Sequence, residues 1–172
     1  METVTGLLYK EEQYLPKWIY FLIFAWIPII FALPLFNPEF EKREALWLML
    51  GGVIIFELFL IGFIGKMTVL VKWNELLVFI GFFRLVKFRI RKSEIKSVKL
   101  IDENLWRKFG GWGVRGTFGT VAIVYASKGG VEIEMQELKQ SQSLFKKLTK
   151  VEKFIISSQN PARLMDAILS MT

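Results

Sequence analysis

Two long apolar runs in the first third of the chain constrain its fold more than any other feature. Residues 18–36 contain no charged side chain, and residues 45–64 contain only one, Glu57. A helix of about 20 residues is about 30 Å long, which matches the hydrocarbon core of a bilayer. Both runs are therefore predicted to be transmembrane helices that form a hairpin over residues 18–64. The short segment 37–44 between them is predicted to be an external loop.

A cleaved signal peptide is the alternative explanation of the first run. Its uncharged length exceeds the apolar core of about 7–15 residues that signal peptides have. Glu11 and Glu12 precede it, and no small-x-small cleavage pattern comes after it. The helical hairpin is therefore the favoured interpretation.

The distribution of charge predicts how the hairpin is oriented. Residues 1–65 contain four basic and seven acidic side chains, a balance of −3, whereas residues 66–172 contain 19 basic and nine acidic ones, a balance of +10. Basic side chains near the ends of spans favour the cytoplasmic side, and here they are Lys10, Lys17, Lys66 and Lys72. We expect a multi-pass protein of the cell membrane with both termini in the cytoplasm, beginning with a cytoplasmic N-terminal segment, residues 1–17.

The composition excludes several classes of chemistry. The chain has neither Cys nor His, which removes disulfides, thiolate nucleophiles, Cys/His zinc sites and any catalytic triad built on a His base. The only aspartates, Asp102 and Asp166, are far apart in sequence and have no motif around them. We therefore predict no catalytic residues, no metal site and no cofactor, and a protein that is not an enzyme.

Residues 66–172 show the alternation of short apolar segments and turn residues that is typical of a small antiparallel sheet. The sequence Ser127-Lys128-Gly129-Gly130 favours a hairpin between two of its strands, and Asn160-Pro161 favours the start of a final helix. The predicted fold is a cytoplasmic, mostly-β domain of about seven antiparallel strands and one C-terminal helix. The strands are predicted at residues 67–71, 76–80, 83–91, 95–101, 120–125, 131–135 and 153–157.

Three short motifs in this domain resemble those of a known family. They are Gly-Gly-Trp-Gly-Val-Arg at 110–115, Gly-Val-Glu-Ile-Glu-Met at 130–135, and Ile-Ile-Ser-Ser-Gln-Asn-Pro at 155–161. In these motifs the chain is similar to a family of uncharacterised prokaryotic membrane proteins with two N-terminal spans and a C-terminal PH-like (pleckstrin-homology-like) domain. The resemblance implies a bent sheet whose open end is closed by the final helix. Residues 136–152 depart from the family pattern, which has a brief turn there.

One strand of the domain carries a row of basic side chains. The set predicted to contact anionic lipid is Arg84, Lys87, Arg89, Arg91 and Lys92. Each cation close to an anionic membrane surface contributes about 1 kcal/mol to attraction. The alternative is a solvated face that blunts the edge of a sheet. The balance of +10 also suits nucleic acid, but the chain has no recognised nucleic-acid-binding motif, so nucleic acid is not an expected partner.

Three further residues are candidates for contact with a partner or ligand. Glu57 lies near the middle of the second span, where an ionised carboxylate that faces lipid costs about 2.5 kcal/mol or more, so it should face protein or be neutral. Its partner would be water, Trp26 or another chain. Trp112 and Arg115 lie in a glycine-flanked loop and form either a ligand contact or a structural brace, with the Trp covering the core and the Arg pairing with a carboxylate.

These features favour a non-enzymatic binding, scaffold or assembly module that acts at the inner face of the membrane. Its expected partners are membrane lipids and either a protein partner or a second copy of the chain. The alternative is a subunit of a membrane enzyme or transporter complex that uses Glu57 or the loop containing Trp112 and Arg115.

Overall fold

The computed structural model describes residues 6–25, 27–29, 32, 43–117, 119–140 and 150–171, which form two β-sheets with a few helices. The strands are β1 (Leu7–Tyr14), β2 (Lys66–Lys72), β3 (Glu75–Ile80), β4 (Val86–Arg91), β5 (Ile95–Ile101), β6 (Gly113–Thr117), β7 (Thr120–Val124), β8 (Gly130–Gln140) and β9 (Lys150–Ser157). The first sheet has the order β1-β2-β3-β4 and the second has the order β5-β8-β9-β7-β6. The helices are α1 (Lys17–Phe24), α2 (Arg43–Ile64), α3 (Leu105–Phe109) and α4 (Pro161–Leu169).

Strand β1 belongs to the first sheet, although no strand was predicted before the first apolar run. It pairs antiparallel with β2, and Tyr14 at its end lies opposite Lys66 at the start of β2. The two helices α1 and α2 are thus inserted between neighbouring strands. Apolar alternation does not mark β1 because the inward positions next to the second sheet are occupied by the polar residues Glu11 and Gln13.

The prediction of about seven antiparallel strands is wrong in two respects. The described residues contain nine strands, and β7 pairs in parallel with β9. The predicted direct hairpin between β7 and β8 is also wrong, since β9 lies between them. The glycines at 129–130 allow the chain to reverse, but the run Phe154, Ile155 and Ile156 is buried at every position. A strand that is apolar on both faces is most stable in the middle of a sheet, between two other strands.

The C-terminal helix α4 forms where it was predicted. The side chain of Asn160 caps it by accepting a hydrogen bond from the backbone N–H of Arg163, and Pro161 is its first residue. Leu164 and Ile168 are buried in a core that includes residues of both sheets. The helix packs against β5, β8 and β1.

One helix of the described part is long and apolar enough to cross a membrane. It is the segment Trp47–Ile64 of α2, which is 18 residues long with a mean hydropathy of 2.3 and with only 17% of its residues buried. In the first predicted span, α1 ends at Phe24, and most of residues 26–36 lie outside the described residues, as does the predicted loop up to residue 42. The structure therefore supports one predicted span by length and composition, and does not confirm the hairpin.

We call the two sheets together with α3 and α4 the β-domain. The directions of its strands define two ends. The helix end, from which α1 and α2 leave, also carries the β3–β4 turn (residues 81–85) and the segment 102–112 that contains α3. The opposite far end carries the β2–β3 turn at 73–74 and a single 3-10 turn, Lys92–Glu94. Residues 141–149 of the predicted insert lie outside the described residues, while 136–140 and 150–152 extend β8 and β9.

Candidate functional site

The C-terminal end of α2 is held by hydrogen bonds from α1 and from the second sheet. The hydroxyl of Tyr20 donates to the carbonyl of Gly65 at 2.8 Å, and the hydroxyl of Tyr125 donates to the carbonyl of Ile64 at 2.7 Å. The backbone N–H of Leu15 also donates to Gly65 at 3.2 Å. The last carbonyls of a helix have no partner within it, so these donors attach α2 directly to the domain. Burial raises the pKa of Tyr125 above its ordinary value, so its hydroxyl remains a hydrogen-bond donor even at alkaline pH.

Buried polar side chains join β1 to the second sheet at this helix end. The amide nitrogen of Gln13 donates to the carbonyl of Ser157 at 2.8 Å, and the hydroxyl of Ser157 donates back to the amide oxygen of Gln13 at 3.1 Å. That hydroxyl also accepts from the backbone N–H groups of Tyr125 and Ala126, at 2.7 and 3.0 Å. These groups satisfy one another, which is the pattern of a structural joint rather than of a ligand site.

The carboxylate of Glu11 extends the same joint toward α4. It accepts hydrogen bonds from the Ser158 hydroxyl and the Gln159 backbone N–H, both at 2.6 Å, and from the Tyr9 hydroxyl at 2.7 Å. Burial and the adjacent Glu11 raise the pKa of Tyr9 to about 12. Sequence reasoning missed this cluster because its two halves, on β1 and at residues 157–159, are 144 residues or more apart along the chain and share no motif.

The β3–β4 turn is attached to the last turn of α2. The backbone N–H of Phe82 donates to the carbonyl of Gly62 at 2.8 Å, and the ring of Phe83 lies against Gly62 where any side chain would collide with it. Gly81 adopts a left-handed φ of 81° and approaches the carbonyl of Phe63 so closely that a Cβ atom would lie 2.3 Å from that oxygen. The side chains of Phe82, Phe83 and Leu85 remain exposed.

Trp112 packs on the main core and also contacts the start of the first helix. Its ring centroid lies 5.2 Å from that of Trp18 in α1 and 5.2 Å from that of Trp106 in α3. This position agrees with the lid that was weighed as one alternative, although the contact with α1 has no signal in the sequence. Arg115 lies two residues into β6 and is exposed, with its guanidinium near Gly111. No carboxylate partner of Arg115 occurs among the described residues.

The five basic residues of the predicted lipid contact do not form one patch. Lys87, Arg89 and Arg91 share the outer face of β4, as the alternation predicts. Lys87 and Arg91 are four positions apart along the strand, a distance of about 13 Å. Arg84 and Lys87 therefore lie at the helix end, whereas Arg91 and Lys92 lie at the far end.

Each of the two groups of cations has its own surroundings. At the helix end, the guanidinium of Arg84 lies 5.4 Å and the ammonium of Lys87 lies 5.5 Å from the ring centroid of Phe79. At the far end, Arg89 forms an ion pair with Glu75 beside an open cleft of about 440 Å³. The cleft is lined by Asn74, Glu75, Arg89, Arg91, Lys92 and Ser93.

Glu57 is buried on α2, with only 4% of its surface exposed. Neither carboxyl oxygen has a hydrogen-bond partner in the described part of the chain. Leu50, two helical turns earlier on the same face, is also buried, while most of the other faces of α2 are exposed. Trp26, which was considered as a partner, lies outside the described residues.

Comparisons with protein-family models, with curated proteins and with solved structures found no match to this chain. The resemblance to two-span proteins with a PH-like domain therefore remains a prediction.

Proposed function

We propose that the protein is a non-enzymatic membrane-anchored module whose β-domain binds a partner at the cytoplasmic face of the membrane. The observation that carries this proposal is the insertion of α1 and α2 between the paired strands β1 and β2. Because Tyr14 and Lys66 are opposite each other, the chain leaves the sheet and returns to it at one point. A segment that leaves and returns on the same side of a bilayer must cross it an even number of times.

The surface of α2 supports a membrane location for this insertion. Its segment Trp47–Ile64 is apolar and mostly exposed, and such a surface is stable in lipid but not in water. The uncharged run that continues from α1 has the length for the second crossing. Two crossings place both termini and the β-domain on one side, and the excess of basic residues after residue 66 favours the cytoplasmic side.

The hydrogen bonds at the helix end support a scaffold rather than a freely tethered domain. Tyr125 of the β-domain and Leu15, directly after β1, bond to the end of α2, so the domain has a defined orientation relative to that helix. Tyr20 attaches α1 to the same point. A fixed orientation presents the same surfaces to a partner at the membrane. The partners that fit are membrane lipids together with a second protein or a second copy of this chain.

The PH-like assignment of the domain is part of the same proposal. Two sheets with a common core, joined to a C-terminal helix whose Leu164 and Ile168 are buried in that core, are compatible with such a fold. The parallel pairing of β7 with β9 departs from the antiparallel order that was predicted.

Crosslinking in the native membrane tests the scaffold proposal. The full chain is crosslinked, solubilised and analysed by mass spectrometry beside the variants Arg115→Ala and Glu57→Gln, after alkaline extraction has shown that the protein stays in the membrane fraction. We expect a reproducible protein partner or a self-crosslink whose yield falls in one of the variants. Release at alkaline pH, or the absence of both kinds of crosslink, would contradict the proposal.

A second candidate is a subunit of a membrane enzyme or transporter complex. The observation that favours it is the buried carboxyl group of Glu57, which has no hydrogen-bond partner among the described residues, since ionisable groups inside spans commonly serve ion or substrate pathways. A pH-dependent activity of the purified complex that disappears in Glu57→Gln, but persists in the nearby exposed-position variant Phe56→Leu, would support this candidate. Unchanged activity in Glu57→Gln would exclude a role of this carboxylate.

A further inference from the structure

We propose that the β3–β4 turn inserts into the lipid leaflet at the end of α2, with Phe82, Phe83 and Leu85 among the lipid chains and Arg84 and Lys87 at anionic headgroups. The proposal rests on the membrane anchor described above, because it takes α2 as a span. It adds a second point of contact with the bilayer, formed by the β-domain itself. The occupant of this surface is the same leaflet that α2 crosses.

The attachment of the turn to α2 determines its depth. Phe82 bonds to the carbonyl of Gly62, and the ring of Phe83 packs on Gly62. Gly62 precedes Ile64, the last residue of the apolar segment, by two residues, which is about 3 Å along the helix axis. If Trp47–Ile64 crosses the hydrocarbon, the turn must lie at the boundary between hydrocarbon and headgroups.

The exposed side chains of the turn suit that boundary. The side chains of Phe82, Phe83 and Leu85 are 49%, 64% and 57% exposed. They lie within four consecutive residues of a turn whose backbone is attached to α2. Tyr14 is also exposed, and its ring centroid lies 6.2 Å from that of Phe82. Tyr side chains are enriched at membrane interfaces, where the apolar ring and the polar hydroxyl are both accommodated, and Tyr14 suits that position. Exposure of these side chains to water would leave several large apolar groups of one turn without apolar surroundings.

Two cations lie directly behind these apolar side chains. Arg84 and Lys87 both approach Phe79, and neither pairs with a carboxylate in the described part of the chain. Lys66 at the same end differs, because its ammonium lies 2.8 Å from a carboxylate oxygen of Glu12. Charge that is not neutralised within the protein, next to an apolar tip, is complementary to an anionic leaflet.

The backbone of Arg84 is a second indication that this turn is specialised. With φ at 53°, Arg84 is the one non-glycine residue in the described part of the chain that adopts the left-handed region. That conformation is unfavourable for a residue with a side chain, because the Cβ atom comes too close to the backbone carbonyl oxygen. Glycine would remove the cost but also the cation, which is consistent with a use for the guanidinium at this position.

Site-specific fluorescence tests the depth of the turn in the full-length protein. The chain contains no Cys, so a single introduced Cys can carry an environment-sensitive probe without background labelling. The protein is reconstituted in nanodiscs of phosphatidylethanolamine and phosphatidylglycerol. Probes at Phe83→Cys and Leu85→Cys are expected to be quenched several-fold more strongly by shallow doxyl lipids, and less by aqueous iodide, than a probe at Trp73→Cys. Trp73 is the matched control, since it is 52% exposed but lies at the far end.

The position Phe56→Cys in the middle of α2 separates the two proposals. If its probe is quenched by lipid while both turn probes are as accessible to iodide as the one at Trp73, the inserted turn is wrong and the membrane anchor stands. If the probe at Phe56 is not quenched by lipid, the anchor is wrong, and the inserted turn is wrong with it. Turn probes protected from both quenchers would indicate a protein contact instead of lipid and would also overturn the inference. Leu85→Cys remains informative if the loss of the Phe83 ring disturbs its packing on Gly62.

Discussion

The two ends of the β-domain differ in how they are stabilised. At the helix end, buried or partly buried hydrogen bonds from Gln13, Ser157 and Tyr125 connect both sheets to each other and to α2. At the far end, the side-chain contacts include partly exposed ion pairs such as that of Glu75 with Arg89, beside an open polar cleft, and a backbone hydrogen bond joins Trp73 to Gly6. Breaking a buried hydrogen bond costs more than breaking an exposed ion pair. The helix end should therefore be the more rigid of the two and the one that sets the position of the domain relative to α2.

The largest difference between the ends is expected for glycine substitutions. Gly81→Ala places a Cβ against the carbonyl of Phe63 in a left-handed conformation, and we expect it to lower the free energy of unfolding by at least about 2 kcal/mol. Gly116→Ala on β6 is the control, because a Cβ there meets nothing within 4 Å, and its effect should stay within about 0.5 kcal/mol. Denaturant unfolding of the reconstituted protein measures both. Similar losses would mean that the turn is not firmly attached to α2.

The second-largest loss of stability is expected when the hydrogen bond from Tyr125 to the end of α2 is removed. Tyr125→Phe removes the hydroxyl that donates to Ile64 and should cost about 1 kcal/mol, because the carbonyl is left without that donor. Tyr14→Phe is the matched control, since its hydroxyl is exposed and lies 3.4 Å from Glu12. Thermal unfolding in the same nanodiscs should separate the two variants. An equal effect of both substitutions would argue against a special attachment at the helix end.

A comparison of two cations on β4 tests which end contacts lipid. Lys87→Glu at the helix end should weaken the association of spin-labelled phosphatidylglycerol with the reconstituted protein at least about fivefold, since the loss of one headgroup contact corresponds to about 1 kcal/mol and the new carboxylate repels the lipid. Arg91→Glu at the far end changes the net charge equally and should have little effect. Equal effects of the two substitutions would show that lipid responds to net charge rather than to the position of the cation.

The smallest expected effect is a pH dependence at the outer face of the first sheet. Hydrogen bonds from Lys66 and Lys10 lower the pKa of Glu12 from 4.5 to about 2. Because the pKa is lower in the folded protein, these contacts stabilise it above the unfolded pKa and cease to do so as the pH falls from 4.5 to about 2. The melting temperature of the wild type should exceed that of Glu12→Gln at neutral pH and converge with it at low pH. A constant difference across this range would contradict the assignment.

The strands with clear apolar alternation could be predicted from the sequence. The strands with polar inward side chains or with many glycines could not. Strand β5 has the predicted bounds, and α4 begins at its predicted cap. Strand β1 was missed because its inward side chains, Glu11 and Gln13, are satisfied by residues near position 158 that periodicity does not reveal. The glycine-rich β6 was missed because it has little apolar pattern.

The candidate site could be predicted only in part for a related reason. The alternation of β4 correctly indicated that Lys87, Arg89 and Arg91 share one face. It did not indicate that the strand runs from the helix end to the far end, which separates Arg84 and Lys87 from Arg91 and Lys92. The contact of Trp112 with Trp18 joins two segments that are distant along the chain. The type of side chain at each position can be read from the sequence, whereas the distance between two side chains depends on the path of the whole chain.

The sequence by itself determined the properties that depend on composition and local period. These are the two apolar runs, of which the second forms a long helix, the absence of Cys and His, the concentration of basic residues from residue 66 onward, and the mostly-β character of that region. Only the tertiary structure decided that β9 lies between β7 and β8, that β1 completes the first sheet, and that the β3–β4 turn packs on the end of α2. Local period reports which face of an element is buried, but the choice of neighbour depends on which arrangement buries all apolar faces and satisfies all polar groups together.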